Sequence, residues 1–208
     1  MMPPKVVLQV VAGLVILTLA GLTAVRGAPD TPAEWMAPIA PAVGVAWTGL
    51  WVFNRWAWRW RGIRGLTGRP LLDGTWHGEL VPQALAGGAA AAVDGDIFMV
   101  VRQCFWSISV RLFTRESTSS SCGASLNRHD DGVYELVYVY INTPQHQVRE
   151  RSGIHYGGAV LSAPKSADHG VHGQYFTDRK SRGDLSFHTR YATHIESYVA
   201  GPRLVAAA

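Results

Sequence analysis

The residues with the clearest chemical capacity lie in one stretch near the C-terminus, residues 173–185, with the sequence GQYFTDRKSRGDL. Tyr175, Thr177, Arg179, Lys180 and Arg182 fall within thirteen consecutive positions. Tyrosine rings stack on flat heterocycles, and arginine and lysine pair with phosphate oxygens. On composition alone the stretch is more simply a hairpin with a solvated basic turn, and binding of a phosphate-bearing aromatic ligand is the alternative.

Catalytic and metal-binding patterns are absent from the sequence. It has no glycine-rich phosphate loop between a strand and a helix, no G-x-S-x-G motif and no paired carboxylates. In a strand, His169 and His172 would point to opposite faces, and Cys104 and Cys122 have no metal-type spacing. The stretch SSSCG around Cys122 is more simply an exposed strand face than a nucleophile. We therefore expect no enzyme activity, no metal and no cofactor.

The positive charge of the chain is concentrated at its N-terminal end. Residues 1–69 carry seven Lys and Arg against two acidic residues, whereas residues 70–208 carry twelve against thirteen. A domain that binds a nucleic-acid polymer normally carries the positive charge itself. The distribution therefore argues against DNA or RNA as a partner.

Two apolar runs account for the N-terminal end. Residues 6–25 contain no charged residue and as a helix would span about 30 Å, which matches a bilayer core. A second run, residues 36–53, follows the turn-rich linker RGAPDTPAE. The pattern predicts a hairpin of two transmembrane helices that also contacts membrane lipids. A cleaved signal peptide is the alternative for the first run.

The segment after the second run sets the predicted topology. In FNRWAWRWRGIRG, residues 53–65, tryptophans alternate with arginines, which is typical of the membrane interface on the cytoplasmic side. A hairpin returns to its starting side, so both termini are expected in the cytoplasm. We divide the chain into this hairpin, residues 1–64, and a cytoplasmic ligand-sensing domain, residues 65–208.

The second domain has the alternation and turn signals of short strands. In the fifth strand, Tyr134, Leu136, Tyr138 and Tyr140 share one face. Eight strands joined by short turns can close into a small antiparallel barrel of the lipocalin or avidin type, and a sandwich is the alternative. The predicted strands cover residues 74–81, 96–103, 105–114, 118–126, 132–141, 155–163, 170–178 and 183–190.

The whole architecture resembles a known family. Residues 71–80, LLDGTWHGEL, are similar to the opening of the β domain, and residues 172–187, HGQYFTDRKSRGDLSF, to the closing hairpin, of the two-transmembrane, β-strand-rich effectors associated with cGAS/DncV-like nucleotidyltransferases (CD-NTases) in bacterial CBASS anti-phage defence. The resemblance implies a barrel that senses a cyclic dinucleotide made by a partner CD-NTase. Homo-oligomers would then disrupt the inner membrane, and the cell would die by abortive infection. A passive, membrane-anchored, lipocalin-like binding module is the alternative function.

A cyclic dinucleotide presents two phosphates and two bases, so its receptor needs cations and aromatic rings on a rigid scaffold. We expect tyrosines to stack on the bases and arginines to pair with the phosphates. On this chemistry the candidate ligand-binding residues are Trp76, Tyr140, Arg151, Tyr156, Tyr175, Thr177 and Arg182.

Overall fold

The computed structural model of the protein describes residues 4–27, 31, 36–83, 94–163 and 170–207. It contains two compact units. The first, the helical unit, comprises Met1–Thr67 together with Cys104–Trp106, and the second, the barrel unit, comprises Gly68–Gln103 and Ser107–Ala208. Most of the predicted linker after the first apolar run lies outside the described residues.

The helical unit contains helices where the two apolar runs lie. Helix α1 spans Pro4–Arg26, α2 spans Met36–Arg55, and α3 spans Arg61–Thr67 after a 3-10 turn at Ala57–Arg59. Over the part of the chain that the structure describes, none of the helices has the combination of length and apolar character needed to cross a membrane. The two membrane spans therefore stay a prediction.

The tryptophan-rich segment is not uniformly exposed. Trp58 is fully buried, whereas Trp56 and Trp60 are exposed. The Trp58 ring packs against Phe105, and Asn54 accepts hydrogen bonds from the backbone N–H groups of Phe105 (3.0 Å) and Trp106 (3.1 Å). Phe105 and Trp106 therefore belong to the core of the helical unit. The prediction that the third strand begins at Phe105 is wrong, because these side chains pack outside the sheet.

The barrel unit is a closed antiparallel barrel of eight strands in the order of the sequence. Residues with β-branched and aromatic side chains alternate along most of these strands, as a sheet with one buried face requires. The last strand pairs with the first from Thr75↔Tyr191 to Pro82↔Gly183, which leaves neither with a free edge. The strands are β1 Gly74–Pro82, β2 Asp94–Gln103, β3 Ile108–Phe113, β4 Ser117–Arg128, β5 Tyr134–Pro144, β6 His155–Ala163, β7 Val171–Thr177 and β8 Arg182–Tyr191.

The barrel interior is filled by alternate residues of every strand. The predicted face of β5 is confirmed, since Tyr134, Leu136, Tyr138 and Tyr140 are all buried in this core. Trp76 of β1 is fully buried there, and its indole N–H donates to the carbonyl oxygen of Leu72 at 2.8 Å. Where these residues lie, the interior of the barrel is thus a packed core and not a channel.

A second apolar cluster lies on the outside of the barrel. Phe98 and Phe113 face outward from β2 and β3, and the C-terminal segment covers them with Ile195, Tyr198 and Leu204. Helix α4 spans Ala200–Ala206 within this segment. The C-terminal segment is therefore a structural cover for one side of the sheet.

One buried side chain fixes the path of the chain into β1. Gln103 is 2% exposed, and its amide accepts from the backbone N–H of Leu72 (2.8 Å) and donates to the carbonyl oxygen of Pro70 (3.0 Å). Both backbone groups would lack these partners without the amide. A buried polar group left without a partner costs about 1–3 kcal/mol.

We predict that Gln103→Met, which keeps the size of the side chain, lowers the free energy of unfolding by about 2–4 kcal/mol, because it leaves the two backbone groups unpaired. Urea unfolding of the purified protein measures the change. Gln174→Met is the matched control, since Gln174 is exposed on β7. Equal effects of the two substitutions would contradict this role for Gln103.

Candidate functional site

A cavity of about 160 Å³ opens at one end of the barrel, which we call the mouth. The connections β3–β4, β5–β6 and β7–β8 lie at this end, because alternate connections of an antiparallel barrel lie at the same end. The β1–β2 connection belongs to the same end, but most of it lies outside the described residues. Its lining is polar and aromatic, with no Lys, Arg, Asp or Glu: Leu80, Leu112, Thr114, Ser117, Ser119, Tyr138, Tyr140, Asn142, His155, Tyr175, Thr177, Ser181 and Leu185.

One row of the lining is a hydrogen-bonded chain across three strands. Ser119 pairs with Asn142 across β4 and β5, and Asn142 pairs with His155 across β5 and β6. The Ser119 hydroxyl donates to Asn142 Oδ1 (3.2 Å), and Asn142 Nδ2 lies 3.3 Å from His155 Nε2. All three side chains are buried. We call them the polar row.

Two tyrosines lie deeper, each opposite a glycine. Tyr140 pairs with Gly157 of β6, and Tyr175 pairs with Gly183 of β8. A Cβ atom on Gly157 would collide with the Tyr140 ring, and one on Gly183 would come within 2.8 Å of the Tyr175 ring. The glycines therefore make room for the rings to lie over the neighbouring strands, as aromatic residues do over glycine in other sheets.

The hydroxyl of Tyr138 is the most unusual polar group of the site. Tyr138 is 2% exposed and lines the cavity, and its hydroxyl has no hydrogen-bond partner among the described residues. Burial raises the pKa of Tyr138 well above its ordinary value, and the neighbouring Tyr140 adds to the shift. A buried hydroxyl without a partner is costly, so a ligand atom that bonded to it would be favoured.

Burial also raises the pKa values of Tyr140 and Tyr175, which keeps both hydroxyls protonated. It raises the pKa of Tyr140 to about 12, with further contributions from Tyr175 and Asp178. Burial and the nearby Asp184 raise the pKa of Tyr175. At neutral pH these rings are therefore uncharged stacking surfaces with hydroxyl donors.

On the β3–β4, β5–β6 and β7–β8 connections, cations outnumber anions. They carry five cationic and three acidic residues, a net charge of +2: Arg115, Arg149, Arg151, Arg179 and Lys180, with Glu116, Glu150 and Asp178. We call this set the rim. The adjoining strand ends carry Arg182 and Asp184 of β8 and Asp94 and Asp96 of β2. Lys180 has a φ of 62°, a left-handed conformation that a lysine adopts only at a cost. An anionic ligand would thus meet favourable charge on these three connections, beside an uncharged cavity.

The structure brings three of the seven predicted residues to the cavity: Tyr140, Tyr175 and Thr177. Arg151 lies on the rim, where it forms an ion pair with Glu116. The structure places the other three candidates, Trp76, Tyr156 and Arg182, away from the cavity. Trp76 lies in the packed core of the barrel, and Tyr156 is 57% exposed on the outer face of β6. Arg182 lines an external groove with Gln174 and Asp184. Side-chain alternation along the strands explains the outward position of Tyr156.

Sequence reasoning missed ten of the thirteen lining residues, and among them are Ser119, Tyr138, Asn142 and His155. Two of these four could have been recognised from the sequence, because Tyr138 and Asn142 lie two residues on either side of Tyr140 in β5 and therefore share its face. Ser119 and His155 come to the cavity only through the register of β4 and β6 with β5. Within the described residues, no three His, Cys, Asp or Glu side chains are grouped as metal ligands. His169 lies outside the described residues.

We predict that Tyr140 makes the protein less stable as the pH rises from about 10 to 12, because the unfolded chain loses the phenol proton near pH 10 while the folded chain keeps it. Tyr140→Phe should remove on the order of 1–2 kcal/mol of this loss. Urea unfolding at about pH 9 and about pH 11.5 measures it. Tyr156→Phe, on the exposed face, is the control, and an alkaline loss in Tyr140→Phe equal to that of the wild type would refute the assignment.

Comparison with known proteins gives a match to one family. The family described as Cap15, cyclic dinucleotide receptor domain, matches residues 67–189, which is more than half of the chain and includes all eight strands up to Thr189. Among curated proteins, none matches. The matched region contains the cavity, the polar row and the rim. The chain therefore belongs to the Cap15 family of CBASS effectors, whose shared domain is a cyclic dinucleotide receptor.

Proposed function

We propose that this protein is a CBASS anti-phage effector whose barrel binds a cyclic dinucleotide at the mouth, after which protomers associate and disrupt the bacterial inner membrane. The observation that carries the proposal is the cavity in which Tyr140 and Tyr175 lie over glycines inside a cationic rim. The protein acts as a sensor in this proposal, without turnover of the ligand.

Stacking supplies the first part of the binding energy. Aromatic stacking on a base contributes about 1–3 kcal/mol for each base and needs a ring held in place. The cross-strand pairing of Tyr140 with Gly157 and of Tyr175 with Gly183 holds both rings at the mouth. The rings are uncharged at neutral pH, which favours contact with a neutral base.

The rim supplies the second part. Arg179 donates to Ser152 at 2.9 Å and so joins the β7–β8 turn to the β5–β6 connection. Lys180 follows it in the same turn, which Thr177 and Ser181 close by hydrogen bonds. Arg179 and Lys180 lie in the chain between Thr177 and Ser181, both of which line the cavity, so in the proposed complex their cationic groups pair with the two phosphates of a ligand whose base is inside.

The membrane part of the proposal is supported by sequence alone. The uncharged run of residues 6–25, the second run and the Trp/Arg segment are typical of a two-pass anchor with both termini in the cytoplasm. That orientation places the barrel in the compartment where a CD-NTase releases its product. Neither run contains an ionisable residue, so an increase in permeability requires many copies that associate in the membrane.

The stacking role predicts a selective loss of binding. Tyr140→Leu and Tyr175→Leu should each weaken binding of the cognate cyclic dinucleotide about 5- to 150-fold, which corresponds to 1–3 kcal/mol. Tyr156→Leu is the matched control, because Tyr156 lies on the outer face. Calorimetric titration of the full-length protein in detergent measures affinity, and thermal unfolding verifies the fold. Equal losses in all three variants would contradict ligand binding at the mouth.

The effector role predicts leakage that depends on the ligand. Dye-loaded liposomes that contain the full-length protein should leak when the cognate cyclic dinucleotide is added, and not with its linear form, because only the ligand-bound protomers associate. Sedimentation should show larger assemblies under the same conditions.

A variant with an unrelated two-helix hairpin in place of residues 1–64 separates the effector from a passive binding module. The effector proposal expects this variant to bind ligand without leakage. A wild-type protein that binds the ligand but leaves liposomes intact would instead be a passive module.

A further inference from the structure

We infer that Asn142 selects the base of the ligand, and that His155 is the positioning residue that keeps its amide in one orientation. The inference rests on the proposed function, because it concerns the same cavity. The inference goes beyond the proposed function because it addresses the choice between different cyclic dinucleotides. Neither stacking nor charge determines that choice.

The lining leaves few groups that can distinguish one base from another. Stacking tolerates every base, and the charged residues lie on the rim and not in the cavity. A volume of about 160 Å³ corresponds to roughly five waters at about 30 Å³ each, which is room for the ring system of one base. A base inside this cavity is read by uncharged hydrogen-bonding groups. The hydroxyls among them can rotate to donate or to accept, whereas the amide of Asn142 holds its donor and its acceptor on two separate atoms.

The orientation of that amide follows from its partners. The carbonyl oxygen of Gly153 lies 3.0 Å from His155 Nδ1 and can only accept, so Nδ1 carries the hydrogen. Arg179 Nη1 is farther from Nδ1, at 3.5 Å, and bonds to Ser152 at 2.9 Å. His155 Nε2 is then an acceptor, and the Asn142 NH₂ group must face it. The Ser119 hydroxyl donates to the opposite side, Asn142 Oδ1.

A fixed amide separates two classes of base. After these bonds Asn142 keeps one free N–H and one free lone pair, in a fixed order. Uracil and guanine present a carbonyl oxygen beside a ring N–H, and cytosine and adenine present an amino group beside a ring nitrogen. Where Asn142 meets the exocyclic group (O4 or O6 against N4 or N6) and the ring nitrogen beside it, and the glycosidic bond holds the base in one face orientation, the two classes show donor and acceptor in opposite orders. One orientation of the amide at that edge then favours the keto bases or the amino bases, but not both.

His155 is necessary for this discrimination because the two ends of an amide are nearly the same size. Without the acceptor at His155 Nε2, the Asn142 amide could turn by half a rotation and exchange its oxygen and nitrogen. It would then bond to either class. Loss of His155 therefore affects selectivity more than affinity, which loss of a purely structural side chain would not do.

The test compares size-matched cyclic dinucleotides on the full-length protein in detergent: cyclic di-UMP against cyclic di-CMP, and cyclic di-GMP against cyclic di-AMP. The wild-type protein should favour one class at least tenfold within the pair that binds. His155→Phe should reduce that ratio to about threefold or less. Asn142→Asp, which replaces the donor by an acceptor, should also change the ratio, because a carboxylate accepts hydrogen bonds and cannot donate them.

Asn127→Asp is the matched control, since Asn127 is exposed on the outside of β4, and it should leave the ratio unchanged. Ser119→Ala provides a milder change should His155→Phe fail to fold, and it should also reduce the ratio. A selectivity ratio that survives in His155→Phe, Ser119→Ala and Asn142→Asp overturns the inference while ligand binding stands. If no cyclic dinucleotide binds the wild-type protein, the proposed function itself is overturned, and the inference with it.

Discussion

The pairing of β1 with β8 closes the barrel, and the position of every functional side chain depends on it. Eight registered pairs join the first and last strands, and each of the other strands pairs with its neighbours in sequence. In a closed antiparallel sheet successive side chains of a strand point alternately into the barrel and out of it. A slip of one residue in β5 would turn Tyr140 outward and Ile141 inward. The stacking surfaces and the polar row thus exist only because the closure fixes the register.

The cavity also costs stability. Large side chains fill the packed core of the barrel, whereas near the mouth Gly157 and Gly183 have no side chain and the rings of Tyr140 and Tyr175 lie over them. Glycine within a strand is destabilising by roughly 0.5–1 kcal/mol, and an unpaired buried hydroxyl such as that of Tyr138 costs about 1–3 kcal/mol. These costs are concentrated at one end of an otherwise well-packed barrel. Such costs suit a binding site, because a ligand gains free energy when it bonds to a buried group that has no partner in the free protein.

The sequence was sufficient for the strands and for much of the core, because both depend on local alternation. The shared face of Tyr134, Leu136, Tyr138 and Tyr140 in β5 follows from that pattern. The three candidates that line the cavity were instead chosen for their chemistry. Register is a non-local property, however, and it brings Ser119 and His155 beside Asn142 from three strands. The misplaced candidates have the same origin. Tyr156 has a side chain that could stack on a base, but its position in β6 points it to the outside of the barrel. Trp76 points to the inside but lies in the packed core, away from the cavity, and amino-acid composition indicates neither position.

The size of the cavity has a consequence for how binding could drive assembly. A cyclic dinucleotide has two bases and two phosphates, whereas about 160 Å³ holds one base. In the proposed complex the remaining atoms therefore stay at the rim, among exposed charged side chains such as Arg151 and Glu116. Binding then changes the surface that the barrel presents and not only its interior. A ligand enclosed completely could alter association only by deforming the barrel, whereas one that remains partly exposed can itself become part of the surface that another copy meets.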